Sequence, residues 1–318
     1  MDVSVVIPTR DRPELLALTL RSVLRQEHVN AEVIVVDDGE GAGTDTLLKQ
    51  VGDGRVRLLR NSGPPGVSGA RNSGIAAATG EWISFLDDDD LWAPGKLAAQ
   101  LAVANETGAG WVYAGDVTCD TDLRVRSGAP PSLPQQVVAE LRRHNAVPAG
   151  ASNVAVRREV LDIVGRFDPE LRTSEDWDLW LRLAATGLPA CVPRPLVALR
   201  MHGRMASRGV DRMLADIEVV AHRHRIPIDR PRHQRWAAWM CLEDGRRSAA
   251  LRHYARAVMA GDVASIGRAA LALIDPHAAR RRPLPADDWA REAQTWLNAL
   301  RPASEHCGCG QREQPERR

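Results

Sequence analysis

The chain has 318 residues and carries 42 basic and 41 acidic side chains, so its net charge is +1 at pH 7. This length predicts a sizeable core and about two domains. The balanced charge argues against a nucleic-acid partner, which usually requires a strongly basic surface. The sequence has no apolar run of about 18 residues and no signal-peptide pattern at its start, so we expect no transmembrane segment. Five scattered cysteines are typical of a reducing compartment, and we expect a cytoplasmic protein.

The first half of the chain alternates between strands and helices. The predicted strands are Val3 to Ile7, Glu32 to Val36, Val56 to Leu59 and Trp82 to Leu86. Apolar residues from Leu16 to Leu24 form one helical stripe, and Ala70 to Ala78 predicts another helix. Because the strands are apolar with little alternation, we expect a mostly parallel sheet covered by helices on both faces. Ligands bind such sheets at the carboxyl ends of the strands.

Four consecutive carboxylates, Asp87 to Asp90, follow the last of these strands. At 4 Å and an effective dielectric near 20, each adjacent pair costs about 4 kcal/mol, and a divalent cation would reverse this repulsion. In extended backbone Asp87 and Asp89 point to one side while Asp88 and Asp90 point to the other. The pair Asp87 and Asp89 therefore suits one hard metal ion. The alternative is a solvated acidic turn, or capping residues for a helix that Pro94 opens.

Two other motif interpretations fail on strand order. The glycines at 39, 41 and 43 lack the G-x-G-x-x-G spacing of a dinucleotide-binding loop and follow the second strand. An aspartyl phosphatase would carry its Asp-x-Asp pair at the end of the first strand. This chain has Ile7-Pro8-Thr9-Arg10 there.

Five motifs, in this order, resemble the family 2 glycosyltransferases of the GT-A fold. They are Ser4 to Arg12 (SVVIPTRDR), Val35 to Gly39 (VVDDG), Ala70 to Gly74 (ARNSG), Gly80 to Asp90 (GEWISFLDDDD) and Ser174 to Asp178 (SEDWD). The resemblance covers about residues 2 to 205. It implies a GT-A, Rossmann-like sheet and transfer of a sugar from a nucleotide-sugar donor, with a UDP-sugar expected. The acceptor would be a glycan, a peptide or a metabolite.

The resemblance also implies which residues hold the donor. It assigns Pro8, Thr9, Arg10 and Asp38 to the base and ribose, Arg71 to the diphosphate, and Asp88 to the same donor-binding set. The Asp38 carboxylate could accept a uracil N–H, and a planar guanidinium at Arg71 could bind phosphate through two hydrogen bonds. The alternatives are a turn residue for Asp38 and a surface arginine for Arg71.

The metal ligands implied by the resemblance are Asp87 and Asp89, which would hold Mn²⁺ or Mg²⁺ against the leaving diphosphate. His202 follows a predicted strand from Cys191 to Leu199 and matches a position where some family members have a further ligand. Imidazole is a plausible ligand for Mn²⁺ but not a preferred one for a hard cation. The alternative is a surface histidine, and Arg200 stands near where the family often has an aromatic residue.

The catalytic residues implied by the resemblance are Asp176, as the base of a single inverting displacement, and Glu175, as a contact to the acceptor. Both acids lie in the first turn of a predicted helix. The alternative is that they only complement the dipole of that helix.

The character of the sequence changes after about Arg208, where strand patterns end. We predict a glycosyltransferase domain over residues 1–207, a small helical domain over 208–300 and a disordered tail over 301–318, in which Cys307 and Cys309 are not a metal site. The spacing from Gly245 to Ala257 resembles one tetratricopeptide repeat, although generic helix packing explains it equally. The helical domain could contact a peptide or protein partner.

A run of three arginines, Arg280 to Arg282, could touch an anionic membrane. At about 1 kcal/mol for each basic residue it could not hold the protein there alone. We interpret it as a solvated helix end.

These observations predict a metal-dependent inverting glycosyltransferase. The alternative, from a different class, is a catalytically silent nucleotide-sugar-binding or scaffold protein that recruits a partner through its helical domain. The presence of both Asp89 and Asp176 favours the enzyme.

Overall fold

The computed structural model describes residues 2–202, 209–275 and 286–301. The strands are β1 (Val3–Thr9), β2 (Ala31–Asp37), β3 (Val56–Arg60), β4 (Trp82–Phe85), β5 (Leu91–Trp92), β6 (Trp111–Cys119), β7 (Val125–Ala129), β8 (Ala155–Arg157) and β9 (Ala190–Arg200). The helices are α1 (Pro13–Val23), α2 (Ala42–Val51), α3 (Val67–Ala77), α4 (Lys96–Thr107), α5 (Pro134–Leu141), α6 (Arg158–Val164), α7 (Glu175–Ala184), α8 (Val210–His224), α9 (Arg230–Glu243), α10 (Arg247–Met259), α11 (Ser265–Ile274) and α12 (Asp287–Leu300). A 3-10 turn, Gly150–Asn153, precedes β8.

The strands of the described residues form one sheet in the order β3-β2-β1-β4-β8-β6-β9-β5, with β7 paired to β6. Strands β1 to β4 run parallel, and β6 is parallel to β9. The short strand β8 runs antiparallel between β4 and β6. The prediction of a mostly parallel sheet between helices is confirmed. This order brings the carboxyl ends of β1, β2 and β4 to one edge, where the candidate residues lie.

Both faces of the sheet are buried, which explains why the strands read as continuous apolar runs. Val5 and Ile7 of β1 pack on one face with Leu16 and Leu20 of α1. The neighbouring Val6 points to the other face, as the two-residue period of a strand requires. It packs in a second core cluster to which α3, α5, α7 and α8 contribute.

Every secondary-structure element that the structure describes after residue 208 is a helix, as predicted. Met213 and Ile217 of α8 belong to the core of the sheet region. The helices α9 to α11 form their own cluster around Ala238 and Tyr254. Helix α12 returns to the sheet, where Trp296 packs in a cluster with residues of β6 and β9.

The predicted domain boundaries stay predictions. The residues around 207, the run Arg280 to Arg282 and the tail with Cys307 and Cys309 lie outside the described residues. Both interpretations of the spacing from Gly245 to Ala257 predict the helical pair α9 and α10. Gly245 lies in the turn between them with φ +73°.

None of the helices that the structure describes is both long enough and apolar enough to pass through a bilayer.

Candidate active site

The four aspartates after β4 form a turn instead of an extended strand end. The amide of Asp90 donates to the carbonyl of Asp87 at 3.1 Å. One carboxylate oxygen from each of Asp87, Asp89 and Asp90 lies within 4.8 Å of the others. The expected alternation was therefore wrong for Asp90, which joins Asp87 and Asp89 because the turn removes the two-residue period. The capping alternative was also wrong, since β5 separates these aspartates from α4.

Asp88 points into the protein and is not part of this group of carboxylates. Its Oδ2 accepts hydrogen bonds from Thr9 Oγ1 at 2.6 Å and from Arg12 Nε at 3.2 Å. The side chain is fully buried, and burial raises the pKa of Asp88 to about 7 although the charge of Arg12 opposes this shift. Asp88 and Thr9 are both buried in this structure, and the hydrogen bond between them fixes the end of β1. Their predicted roles in donor binding stay predictions.

Asp89 is held by a cation and a ring nitrogen. Its Oδ2 accepts from Arg12 Nη1 at 3.1 Å and lies 2.9 Å from His202 Nε2. Burial alone would raise the pKa of Asp89, but the hydrogen bond with His202 and the charge of Arg12 lower it. His202 exposes 7% of its side chain, so it is not a surface histidine. The structure therefore brings His202 to Asp89, whereas the carboxylates that lie together are Asp87, Asp89 and Asp90.

Asp90 is bound on both of its oxygens. Ser152 Oγ donates to its Oδ2 at 2.6 Å, and the backbone amide of Arg200 donates to its Oδ1 at 3.3 Å. The Arg200 side chain donates to the carbonyls of Asp89, at 2.5 Å, and Leu15, at 2.7 Å. Burial and the charges of Asp89 and Asp87 raise the pKa of Asp90 well above its ordinary value.

Arg71 connects the acidic turn to α7. Its Nη2 donates to Asp87 Oδ1 at 2.5 Å, and its Nη1 donates to Glu175 Oε1 at 2.6 Å. Its guanidinium lies over the ring of Phe167, 5.1 Å from the ring centroid. Arg71 is 2% exposed, so the surface-arginine alternative was wrong. Its contact with the diphosphate stays a prediction.

Asp176 lies in the first turn of α7, as predicted. Its Oδ2 accepts from Asn145 Nδ2 at 2.9 Å, and its Oδ1 accepts from its neighbouring amide, Trp177 N, at 2.7 Å. A Cβ added at Gly150 would lie 2.8 Å from Oδ2, so the backbone of the 3-10 turn packs directly against the Asp176 carboxylate. Burial and the charge of Glu175 raise the pKa of Asp176 to about 7, which suits a group that accepts protons near neutral pH.

Glu175 and Asn145 each carry a buried polar atom beside Asp176. Within the described residues, Glu175 Oε2 and Asn145 Oδ1 have no hydrogen-bond partner. Buried polar atoms of this kind are rare and require an explanation. Two such oxygens around one carboxylate are consistent with a site that a ligand completes.

The remaining predicted residues lie at the ends of β1 and β2, which pair in parallel up to Thr9 and Asp37. Pro8 is buried within β1. Asp38 accepts from Asn61 Nδ2 at 2.6 Å and from the amide of Gly66 at 2.9 Å, which ties β2 to the loop before α3. Arg10 is largely exposed, with Nη1 3.8 Å from Asp38 Oδ2. The donor contacts of these residues stay predictions.

Sequence reasoning missed several members of the site: Arg12, Asp90, Asn145, Gly150, Ser152 and Arg200. Arg12 and Asp90 stand inside motifs that were recognised, so their charge was an available signal. Asn145 lies in a loop with no motif, and its contact with Asp176 spans 31 residues of sequence. No local pattern could have predicted that contact.

Comparisons with known proteins agree with this architecture. The family model "Glycosyl transferase family 2" matches residues 4–164. The succinoglycan biosynthesis protein ExoO of Rhizobium meliloti (strain 1021) is 31% identical over 245 residues, which cover 71% of this chain and 69% of ExoO. The structure of S. aureus TarS 1-349 in complex with UDP-GlcNAc has a TM-score of 0.58 at 14% identity, over 94% of this chain and 91% of that one. The mannosyltransferase PcManGT from Pyrobaculum calidifontis, in complex with GDP-Man and Mn²⁺, has a TM-score of 0.50 at 20% identity, over 94% and 85%. At these identities the two structures show a shared fold.

Proposed function

The chain belongs to glycosyl transferase family 2 and has its GT-A fold, and from this premise we propose that it transfers a sugar from a nucleotide donor by a single inverting displacement. One observation carries the proposal. Arg71 binds Asp87 of the acidic turn with one nitrogen and Glu175, the neighbour of Asp176, with another. Arg71 therefore links Asp87, which is suited to the donor, with Glu175, which is suited to the acceptor.

The proposed donor is a UDP-sugar. TarS was solved with UDP-GlcNAc and PcManGT with GDP-Man, so this fold accommodates nucleotide sugars with either base. In our proposal Pro8, Thr9, Arg10 and Asp38 surround the base and ribose at the shared edge of β1 and β2. The Asp38 carboxylate can accept the N–H of uracil, because an ionised carboxylate only accepts hydrogen bonds.

The proposed metal is Mn²⁺ or Mg²⁺. The donor set fits, because carboxylate oxygens are the ligands that such hard cations prefer, usually one or two of them together with substrate phosphates. Asp90 has both oxygens engaged, by Ser152 and by the amide of Arg200. In the part of the chain that the structure describes, Arg71 holds only Oδ1 of Asp87, and Asp89 is held only through Oδ2, so Asp87 and Asp89 would hold the ion, with His202 beside Asp89. The bound cation would supply positive charge to the leaving diphosphate. PcManGT, whose structure contains Mn²⁺, supports this assignment.

The proposed base is Asp176. Its raised pKa keeps it able to take a proton from an acceptor hydroxyl near neutral pH. The amide of Asn145 and the backbone amide of Trp177 hold one oxygen each, which fixes the orientation of the carboxylate. Glu175 would use its unpaired Oε2 to accept a hydrogen bond from the acceptor, while Arg71 holds its Oε1.

The proposed acceptor is the hydroxyl of a saccharide. ExoO is named as a succinoglycan biosynthesis protein, which supports a role in polysaccharide assembly over transfer to a peptide or a metabolite. We keep the predicted division into residues 1–207 and 208–300 and the cytoplasmic location as parts of this proposal. The described cysteines, Cys119, Cys191 and Cys241, are free thiols.

A donor panel tests the proposal. The protein is incubated with UDP-, GDP- and other nucleotide sugars, with and without Mn²⁺, and release of the nucleotide is measured. We expect turnover of one donor class that depends on the metal. Tight binding of a nucleotide sugar without turnover, in the presence of saccharide acceptors, would instead favour the silent binding protein.

A further inference from the structure

Apolar side chains are concentrated on one exposed part of the helical region. Ten large apolar side chains are exposed in the described residues, and six of them lie between residues 259 and 274. These six, which we call the apolar face, are Met259, Val263, Ile266, Leu271, Leu273 and Ile274. Single exposed apolar residues are ordinary, but six of them fall within sixteen consecutive residues here, and concentrated exposed apolar side chains mark interaction surfaces.

The apolar face lies mainly on α11. The exposed side of this helix carries large apolar residues, and its buried side carries small ones. Ile266, Leu273 and Ile274 are separated by seven or eight residues, which places them on one side of a helix. The opposite side, with Ser265 and Ala272, is buried, and Ala272 belongs to the cluster of α9 and α10. The large apolar side chains of α11 therefore do not pack the helix against α9 and α10; they are exposed to solvent.

Basic side chains accompany the apolar face. Arg252, Arg256 and Arg268 are exposed on α10 and α11. Residues 246–275 contain five arginines and two aspartates. Arg246 lies 3.1 Å from Asp244 and Arg268 lies 3.6 Å from Asp262, so the excess positive charge of α10 comes from the exposed Arg247, Arg252 and Arg256. One of the two aspartates, Asp262, accepts a hydrogen bond from Arg235 at 2.7 Å, which offsets its charge.

We propose that the apolar face docks on the surface of an anionic phospholipid bilayer. An apolar helix face combined with arginines is the pattern of a helix that lies in the plane of the membrane interface. Basic residues alone bind such a surface weakly, and the apolar face supplies the second, additive interaction.

A second copy of the chain fits this surface less well. A twofold contact would bring the same arginines of both copies close together. The inference goes beyond the proposed function, because lipid binding requires no turnover and no residue of the active site.

Vesicle co-sedimentation of the full-length protein tests this. Vesicles of phosphatidylglycerol and phosphatidylcholine in equal parts are compared with phosphatidylcholine alone, at low and high salt. We expect binding to the anionic vesicles that weakens with salt. The double variant Ile266→Glu/Leu273→Glu should lose this binding by at least about tenfold, since it places charge in the apolar layer. The matched control is Ile163→Glu, an equally large and 76% exposed side chain on α6, which should bind like wild type.

Thermal unfolding checks that each variant is folded, and Ile274→Glu, at an 84% exposed position, replaces the double variant if that one is not. Donor turnover without lipid should be the same in wild type and variant. The proposal is overturned if wild type does not sediment with anionic vesicles, or if the apolar-face variant sediments as wild type does. Light scattering tests the second copy. The proposal is also overturned if wild type is a dimer, the apolar-face variant is a monomer and neither binds lipid, because a second copy then covers this face.

Discussion

The side-chain amide of Asn145 donates a hydrogen bond of 2.9 Å to the carboxylate of Asp176, from a loop that carries no recognised motif. This bond favours the charged form of Asp176 and so lowers its pKa, while burial and the charge of Glu175 raise it to about 7. The balance between these effects sets the pH at which the proposed base becomes active. Asn145 is therefore a positioning residue whose loss should be visible in a pH profile.

The first prediction is that Asn145→Ala moves the acidic limb of the kcat/KM profile to higher pH. A base works only when deprotonated, so activity falls as the pH decreases through its pKa. Removing the hydrogen bond should raise that pKa and shift the limb upward by about one pH unit. Arg142→Ala, at an exposed position in the same loop, is the control. A profile for Asn145→Ala that overlays wild type would exclude this role.

The second prediction separates donor binding from chemistry. Asp176→Asn preserves the shape of the side chain but cannot accept a proton, so transfer should fall by about 10² to 10⁴-fold while donor binding persists. Calorimetric titration with UDP and single-turnover transfer measure the two properties. Transfer near the wild-type rate would remove Asp176 as the base, and Glu175→Gln would be tested next.

The third prediction concerns the metal pair. UDP with Mn²⁺ at a hundredfold excess over Kd should stabilise the fold by about 2.7 kcal/mol, a shift of a few degrees in Tm. Asp89→Asn should remove most of this shift, measured against the ligand-free variant because the lost contacts with Arg12 and His202 change its own Tm. Asp162→Asn, an exposed aspartate on α6, should retain the full shift. An undiminished shift in Asp89→Asn would mean that the metal binds elsewhere.

The fourth prediction uses a close approach of backbone to the base. At Gly150, φ is +50° and an added Cβ would lie 2.8 Å from Asp176 Oδ2. Gly150→Ala should displace the carboxylate and reduce transfer by more than about tenfold, as misplacing a catalytic group does, without reducing UDP affinity. Gly108→Ala is the matched control, because Gly108 has φ +69° but no atom within 4 Å of the added Cβ. Both glycines have a positive φ, so both variants carry backbone strain, and equal losses of transfer would contradict the prediction.

The fifth prediction concerns acid stability. Although burial opposes it, the hydrogen bond with His224 and the charge of Arg182 lower the pKa of Asp178 to about 2. Because this folded-state pKa is below the unfolded value, the stabilisation is complete above about pH 4 and is lost as the pH falls toward 2. Asp178→Asn should reduce the free energy of unfolding at pH 7 by about 2 to 3 kcal/mol.

Urea titrations of wild type and Asp178→Asn at several pH values measure this difference. It should shrink between pH 4 and pH 2, where the wild-type carboxylate becomes protonated. A difference that does not depend on pH would show that packing, and not the ion cluster joining α7 to α8, is responsible.

Local sequence patterns predicted most of the sheet region. Apolar runs identified β1 to β4 and β9 to within about two residues. For β1, β2 and β4 the reason is that a strand buried on both faces has a composition that few other elements share. The motifs placed Asp87, Asp89 and His202 in one site and Asp176 in the first turn of a helix. These residues lie at the ends of strands and helices, where an apolar pattern in the sequence stops and polar residues begin.

Only the tertiary structure decided how these ends meet. The sheet order sets β9 beside β5, so His202 reaches Asp89 across 113 residues of sequence, and Arg71 joins α3 to α7 across 104. The turn at Asp87 to Asp90 reversed the direction expected for Asp90, because a hydrogen-bonded turn replaces the strand period with its own geometry. Periodicity and capping signals arise from neighbours within a few residues, whereas these contacts depend on which distant elements pack together, so the chain encodes them only through its folded core.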